Sequence, residues 1–356
     1  MLILWKWDWI TMGIYNEYIN SYDEYTINLD SNEIYLEMDE KILMNMKSCL
    51  TSIPLHRYPT NDMKTIKDLY AKYAGTESKN IIVGNGSDEV IELVISKAIK
   101  HGRKALSLGP DFVMYDFYVS RFGGELKTYD IGKSMNFNLK EFIELGKKED
   151  VDLIIFSNPN NPTGIGMELE NIIDILEAFK EKTVLVDEAY YEFYGKSMIP
   201  YINKYKNLVV TRTLSKAWGL ASLRVGFLIS HEDNVSELLN YKIPYTINSF
   251  SQNLAAIALK YPQNVLKNTK LIIEQREELY KNLKEIEKNA AMKIQFYPSK
   301  GNYIYGRTSH KEALIKGLEN IGIAIRNFGD DTFRITVGSP MQNRKVVDGI
   351  NKIFVY

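Results

Sequence analysis

Between about residues 80 and 230, short apolar runs alternate with segments whose apolar positions recur at helical spacing. The runs lie at 81–83, 105–108, 151–156, 183–186, 208–211 and 225–229. Between them, Val90, Ile91, Leu93, Val94 and Ile95 follow Gly86-Ser87-Asp88, and Ile172, Ile173, Leu176 and Phe179 repeat the helical period. Short, nearly continuous apolar runs read as buried strands, and interleaved amphipathic helices cover both faces of the sheet they form. The pattern predicts an α/β layer structure around a mainly parallel sheet.

After about residue 265 the texture changes to a long charged helix, 271–288, followed by strand candidates at 294–296, 303–305, 323–325 and 333–337. Strands that follow a helix, rather than alternating with many, predict a smaller α+β domain. The first fifty residues show no clear period. Chain ends often lie together at a surface, which assigns them to the same smaller unit. The expected division is a large domain at 51–265 and a small domain built from 1–50 and 266–356. No internal repeat or low-complexity tract is present.

Charge narrows the function classes. With 44 Lys+Arg against 45 Asp+Glu among 356 residues, the chain has no basic field for nucleic acid or an anionic membrane surface. Any anion must be bound locally. The single cysteine, Cys49, excludes an internal disulfide, and four scattered histidines offer no cluster at metal-ligand spacing, so no metal is expected. No apolar run reaches the roughly 18 residues of a membrane span, and the start does not read as a secretory signal, so the expected location is cytoplasmic. Trp5, Trp7 and Trp9 alternate with Lys6 and Asp8. That stretch reads either as an arm on a partner subunit or as a segment preceding a natural start at Met12.

Three polar segments begin where predicted strands end: Ser157-Asn158-Pro159-Asn160-Asn161, Asp187-Glu188-Ala189-Tyr190 and Thr213-Leu214-Ser215-Lys216. Ligands of open parallel sheets bind beyond the carboxyl ends of the strands, so Asn161, Asp187 and Lys216 are expected to converge. A lysine, a carboxylate and an amide suit a pyridine cofactor that forms a Schiff base. The lysine supplies the amine, the aspartate holds the ring nitrogen protonated, and Asn161 and Tyr190 can donate to the phenolate oxygen. Gly86-Ser87-Asp88 at a helix start offers backbone N–H groups to the cofactor phosphate, with Ser215 and Arg224 adding a hydroxyl and a guanidinium. Arg334 alternates with Phe333 and Ile335 along a strand, and its planar fork suits a substrate carboxylate.

These segments, with Arg57-Tyr58-Pro59, Leu223-Arg224-Val225-Gly226 and Phe333-Arg334-Ile335-Thr336-Val337-Gly338, resemble the fold-type I, pyridoxal-phosphate-dependent aminotransferases, nearest to the histidinol-phosphate aminotransferase family. The resemblance runs from about Arg57 to Gly338. It implies an aspartate aminotransferase-like fold, with pyridoxal 5'-phosphate joined to Lys216 as an aldimine. By the same resemblance Asp187 pairs with the ring nitrogen, while Asn161 and Tyr190 meet the phenolate oxygen. Gly86, Ser87, Asp88, Ser215 and Arg224 surround the phosphate. Tyr58 reaches the phosphate of the neighbouring subunit in a homodimer. Arg334 is implied as the clamp for the substrate α-carboxylate, Asn302 as a supporting contact, and Arg326 as the arginine that meets a substrate phosphate.

The chain departs from the family where the substrate's far end would lie. Phe112 stands where a tyrosine usually stacks on the pyridine ring, Asn32-Glu33-Ile34-Tyr35 replaces an Asn-Glu-Asn-Pro segment, and the stretch 326–334 is short. The resemblance implies amino transfer from histidinol phosphate or a related amine to 2-oxoglutarate. The alternatives are an aminotransferase for aromatic or other amino acids, or a phosphothreonine decarboxylase-like enzyme. A regulator of this fold without turnover is the remaining reading, and no helix-turn-helix segment precedes residue 57 to favour it.

Overall fold

The computed structural model describes residues 27–131 and 135–355. The tryptophan-rich start lies outside the described residues. After a short strand, β1 (Ile27–Leu29), seven strands build the larger sheet: β2 (Ile81–Asn85), β3 (Lys104–Gly109), β4 (Glu125–Asp130), β5 (Leu153–Ser157), β6 (Thr183–Asp187), β7 (Leu208–Thr213) and β8 (Val225–Ser230). Their spatial order is β2-β8-β7-β6-β5-β3-β4, and only β8 runs against its neighbours. Both faces are covered. Ile82, Leu153, Ile155, Leu185, Val209 and Leu228 pack with the helices Gly86–Ala98 and Met114–Arg121. The alternate residues Ile81, Val83, Ile154, Phe156, Val184 and Val210 join the core that holds helix Leu169–Ala178. Burial on both faces is why these strands read as unbroken apolar runs.

The second sheet contains β9 (Ile294–Tyr297), β10 (Tyr303–Thr308), β11 (Ile323–Asn327) and β12 (Thr332–Thr336), in the order β1-β11-β12-β10-β9. Here β1 pairs in parallel with β11, Ile27 opposite Ile323, and the remaining neighbours are antiparallel. The long helix spans Pro262–Asn289, starting nine residues before the charged period at 271 and running through position 265. Proline at its first turn explains the start, because the missing N–H is one the helix does not need there.

Residues 40–50 are not irregular. They form the helix Glu40–Leu50, whose first turn is capped by the Asp39 side chain accepting from the Lys41 N–H at 3.0 Å. This helix packs against helix Ser249–Ala258, which itself contacts β8.

Sheet register sets the site. Ser157 is opposite Asp187, and Asp187 is opposite Thr211. The loops leaving β5, β6 and β7 therefore start at one level, bringing Asn161, Asp187 and Lys216 to the same edge.

Candidate active site

Asp187 ends β6 as a buried carboxylate. Its Oδ1 accepts from Thr211 Oγ1 at 2.9 Å and its Oδ2 from the Tyr115 hydroxyl at 2.9 Å. Burial pushes its carboxyl up to about 6, against the pull of these two hydrogen bonds. Among the described residues no cation forms an ion pair with it. A buried carboxylate held by two hydroxyls and the Ala189 backbone N–H is suited to meeting a protonated ring nitrogen.

Lys216 follows the turn that closes β7. The Thr213 hydroxyl oxygen accepts from the Ser215 N–H at 3.0 Å, and the Leu214 N–H donates to the Val225 carbonyl at 2.9 Å, which aims the next side chain across the strand ends. Lys216 Nζ donates to the Ser31 carbonyl at 2.9 Å and lies 5.9 Å from the centre of the Tyr190 ring. Burial, then the positive charge of Arg334, lower the amine to about 8. A lysine held this low reaches its nucleophilic neutral form near physiological pH.

The wall opposite comes from the N-terminal turn. Asn32 is buried, with φ at 56°. Asparagine tolerates this left-handed backbone because its short polar side chain bonds locally. Its Nδ2 donates to the Tyr190 hydroxyl at 2.9 Å, its backbone N–H donates to Thr336 Oγ1 at 3.0 Å, and its carbonyl accepts from Asn302 Nδ2 at 2.9 Å. Asn302 thus holds the turn in place, and burial raises the Tyr190 phenol above its ordinary range.

Arg334, on β12, is buried rather than solvated. Its Nη1 donates to Asn161 Oδ1 and its Nη2 to the Asp30 carbonyl, while its guanidinium carbon lies 5.4 Å from the Tyr303 ring centre. Arg326 of β11 is its direct cross-strand neighbour. Facing positions of an antiparallel pair project to the same side, so two guanidiniums share one patch of the sheet.

The anion end lies at the start of helix Gly86–Ala98, where Asn85 provides no side-chain cap. A Cβ on Gly86, whose φ is 78°, would sit 2.6 Å from Arg224 Nη2. Arg224 Nη2 donates to Asp88 Oδ2 at 3.0 Å, and its Nη1 lies 3.4 Å from Ser215 Oγ. Gly226 lets β8 come this close, since a Cβ there would lie 2.2 Å from the Ser87 nitrogen. The Gly86 N–H is spent on the Arg224 carbonyl at 2.8 Å, so the N–H groups of Ser87 and Asp88 at the helix start, one guanidinium and one hydroxyl form the cradle matched to a phosphate.

Two expected residues stand outside this cluster. Phe112 is half-buried and turns its ring edge-on to Tyr115, with centres 5.5 Å apart. The structure does not bring Tyr58 to the site within one chain: its ring is 85% exposed and stacks on Tyr245 at 5.3 Å. Sequence reasoning misses Asn32, Thr211 and the hydroxyl of Tyr115. None of these carries a local signal: Thr211 meets Asp187 only through the register of β6 and β7.

A doubly covered, mainly parallel sheet with a lysine, a buried carboxylate and an anion cradle at its strand ends defines the fold-type I pyridoxal-phosphate enzymes. The chain belongs to the aminotransferases of class I and II, whose family model, "Aminotransferase class I and II", matches residues 24–350. It is similar to the histidinol-phosphate aminotransferase of Clostridium novyi (strain NT), 37% identical over 332 residues, covering 92% of each chain. The enzyme of the same name from Caldanaerobacter subterraneus subsp. tengcongensis is 36% identical over 335 residues, covering 92% of this chain and 93% of that one. A solved histidinol-phosphate aminotransferase from Sinorhizobium meliloti, in complex with pyridoxal-5'-phosphate, shares the fold with a TM-score of 0.83 at 18% identity, covering 92% and 90% of the two chains. The protein is a pyridoxal-phosphate-dependent transaminase, and its residues fit that cofactor. Among the described residues no cation pairs with the buried Asp187, Lys216 is held below the usual lysine range, and a Cβ on Gly86 would intrude on the cradle.

Proposed function

We propose that this transaminase takes the amino group of histidinol phosphate, or of a closely related phosphorylated amine, and passes it to 2-oxoglutarate. The observation that carries the reading is the facing pair Arg326 and Arg334, two cations at adjacent positions of β11 and β12 beside Asn161. Two adjacent guanidiniums match the doubly charged phosphate monoester of such an amine, and Arg334 alone can take the carboxylate of the acceptor in its turn.

Bound pyridoxal phosphate supplies an electron sink for the electrons of the substrate α-carbon. Lys216 holds the cofactor between turnovers, and its Nζ carries the proton taken from that carbon. With the cofactor bound, Asp187 would keep the ring nitrogen protonated, Asn161 and Tyr190 would donate to the ring oxygen, and Phe112 would offer an aromatic face to the ring. Gly86, Ser87, Asp88, Ser215 and Arg224 bind the phosphate. Arg334 binds the carboxylate of 2-oxoglutarate or glutamate, Arg326 binds the phosphate of the amine, and Asn302 supports the wall through Asn32. The exposure of Tyr58 supports a homodimer in which it completes the phosphate site of the partner subunit.

The test is a half-reaction screen that follows the visible band of the bound cofactor with histidinol phosphate, phenylalanine, glutamate and phosphothreonine. Histidinol phosphate and glutamate are expected to react fastest. Arg326→Ala should raise KM for histidinol phosphate about tenfold or more, the loss expected of a charge-assisted contact, and leave glutamate unchanged. An Arg326→Ala enzyme with wild-type KM for its preferred amine rejects the phosphate reading. Carbon dioxide released from phosphothreonine would indicate a decarboxylase instead.

A further inference from the structure

A line of hydrogen bonds crosses the floor of the site, and the roles given above leave its first member, Asp111, without a task. Asp111 follows β3. Its Oδ1 accepts from the Phe112 N–H at 2.8 Å and from the Ser157 hydroxyl. Its Oδ2 accepts from the Ser157 N–H at 3.1 Å and from Ser107 Oγ at 3.4 Å. Every neighbour is a donor, so only an ionised carboxylate satisfies all of them.

A serine hydroxyl has one proton to give. With that proton donated towards Asp111, the lone pairs of Ser157 Oγ accept the Asn161 N–H at 2.9 Å. Asn161 Oδ1 in turn accepts from Arg334 Nη1. The amide of Asn161 is thereby oriented: its oxygen is used, and its Nδ2 has no protein partner among the described residues. That nitrogen is left to donate within the site.

We infer that Asp111 is a positioning residue for amino transfer: it sets the donor direction of Ser157 and, through Ser157, the placement of Asn161 and Arg334. The inference rests on the reading of Asn161 and Arg334 as cofactor and substrate contacts. The same short segment carries Phe112 and Tyr115, whose hydroxyl holds Asp187. Asp111 therefore pins the loop after β5 and stands just ahead of the helix Met114–Arg121 that supports the carboxylate of β6. Burial pushes its carboxyl up to about 7, while the Ser157 and Phe112 donors pull it back towards the charged form.

Asparagine is not a conservative replacement here. In one orientation its NH2 faces the Ser157 N–H, and in the other it faces the Phe112 N–H and reverses the Ser157 hydroxyl. Either arrangement sets donor against donor.

The test compares Asp111→Asn, Ser157→Ala and the double variant, each prepared without cofactor and then reloaded. Three quantities are read: the affinity for pyridoxal phosphate from tryptophan fluorescence quenching, the visible absorption maximum of the bound cofactor, and kcat and KM with the preferred amine. Both single variants are expected to weaken cofactor binding, to shift the absorption maximum in one direction, and to lower kcat/KM about tenfold. Because Asp111 acts through Ser157, the double variant should fall no more than about twofold below Ser157→Ala, the non-additivity of residues in one network.

Wild-type cofactor affinity and absorption in Asp111→Asn would overturn the inference, as would effects that multiply in the double variant. Should Asp111→Asn fail to fold, Ser157→Ala decides alone: an unshifted absorption maximum and unchanged affinity overturn it. Affinity and absorption do not depend on which amine is the donor. A wrong substrate reading therefore leaves this result standing.

Discussion

Tyr115 and Asp187 stand 72 positions apart and share a hydrogen bond of 2.9 Å, the phenol donating to the carboxylate. Neither side chain reaches solvent. The bond joins helix Met114–Arg121, on one face of the sheet, to the end of a central strand. It also pulls the Asp187 carboxyl down against burial, which favours the ionised form needed opposite a protonated ring nitrogen.

Tyr115→Phe removes that donor and leaves the ring packing intact. The cofactor-free enzyme should lose about 1–2 kcal/mol, the cost of stripping a buried acceptor of its partner. The Asp187 carboxyl should rise further, and pyridoxal phosphate should bind more weakly. Urea unfolding and a cofactor titration check the two effects.

Lys216 gives a pH dependence with a definite sign. Its folded-state value, about 8, lies below the ordinary lysine value of 10.5, so the unfolded chain holds more protons between these two values. Stability therefore rises with pH across that window. Lys216→Met removes the buried charge and should stabilise the cofactor-free enzyme by about 1–3 kcal/mol below pH 8. The advantage should shrink towards pH 10. Thermal unfolding of both proteins across this range measures it, and borohydride reduction should attach pyridoxal phosphate to the wild type alone.

Gly86→Ala places a methyl group against the Arg224 guanidinium at a φ of 78°. Left-handed backbone costs a non-glycine residue on the order of 1–3 kcal/mol. The methyl also intrudes on the proposed phosphate cradle. The expected result is a cofactor dissociation constant raised well beyond the loss of stability, read by equilibrium dialysis.

Behind the site, Arg212 donates from Nε at 3.0 Å and from Nη2 at 2.9 Å to Glu188 Oε2, and its guanidinium stacks 3.5 Å from the Tyr191 ring centre. Both side chains are buried. Arg212→Met strands the Glu188 carboxylate and should cost about 3–5 kcal/mol. Adding Glu188→Gln should recover a good part of that loss in thermal unfolding.

The strands of the larger sheet are legible because burial on both faces demands continuous apolar side chains. The edge strand β4, Glu-Leu-Lys-Thr-Tyr-Asp, escapes that signal, since one side of it meets solvent. Helix Glu40–Leu50 escapes for a different reason. Only Ile42 and Met46 are buried, too narrow a stripe for the apolar period to stand out.

Lys216, Asp187 and Asn161 are legible as candidates because each sits just past a run that must end at a sheet edge. The supports of the site are not. Tyr115 and Asp111 carry no local mark of their partners, and the Asn32 turn comes from the far end of the chain. By itself the sequence determined the buried strands, the residues offered at their carboxyl ends and the family to which the chain belongs, because burial and loop position leave periodic traces. Only the tertiary structure decided which hydroxyl meets Asp187, which amide end Arg334 engages and what faces Lys216. Those choices depend on sheet register and on contacts between residues far apart along the chain, and no local pattern records them.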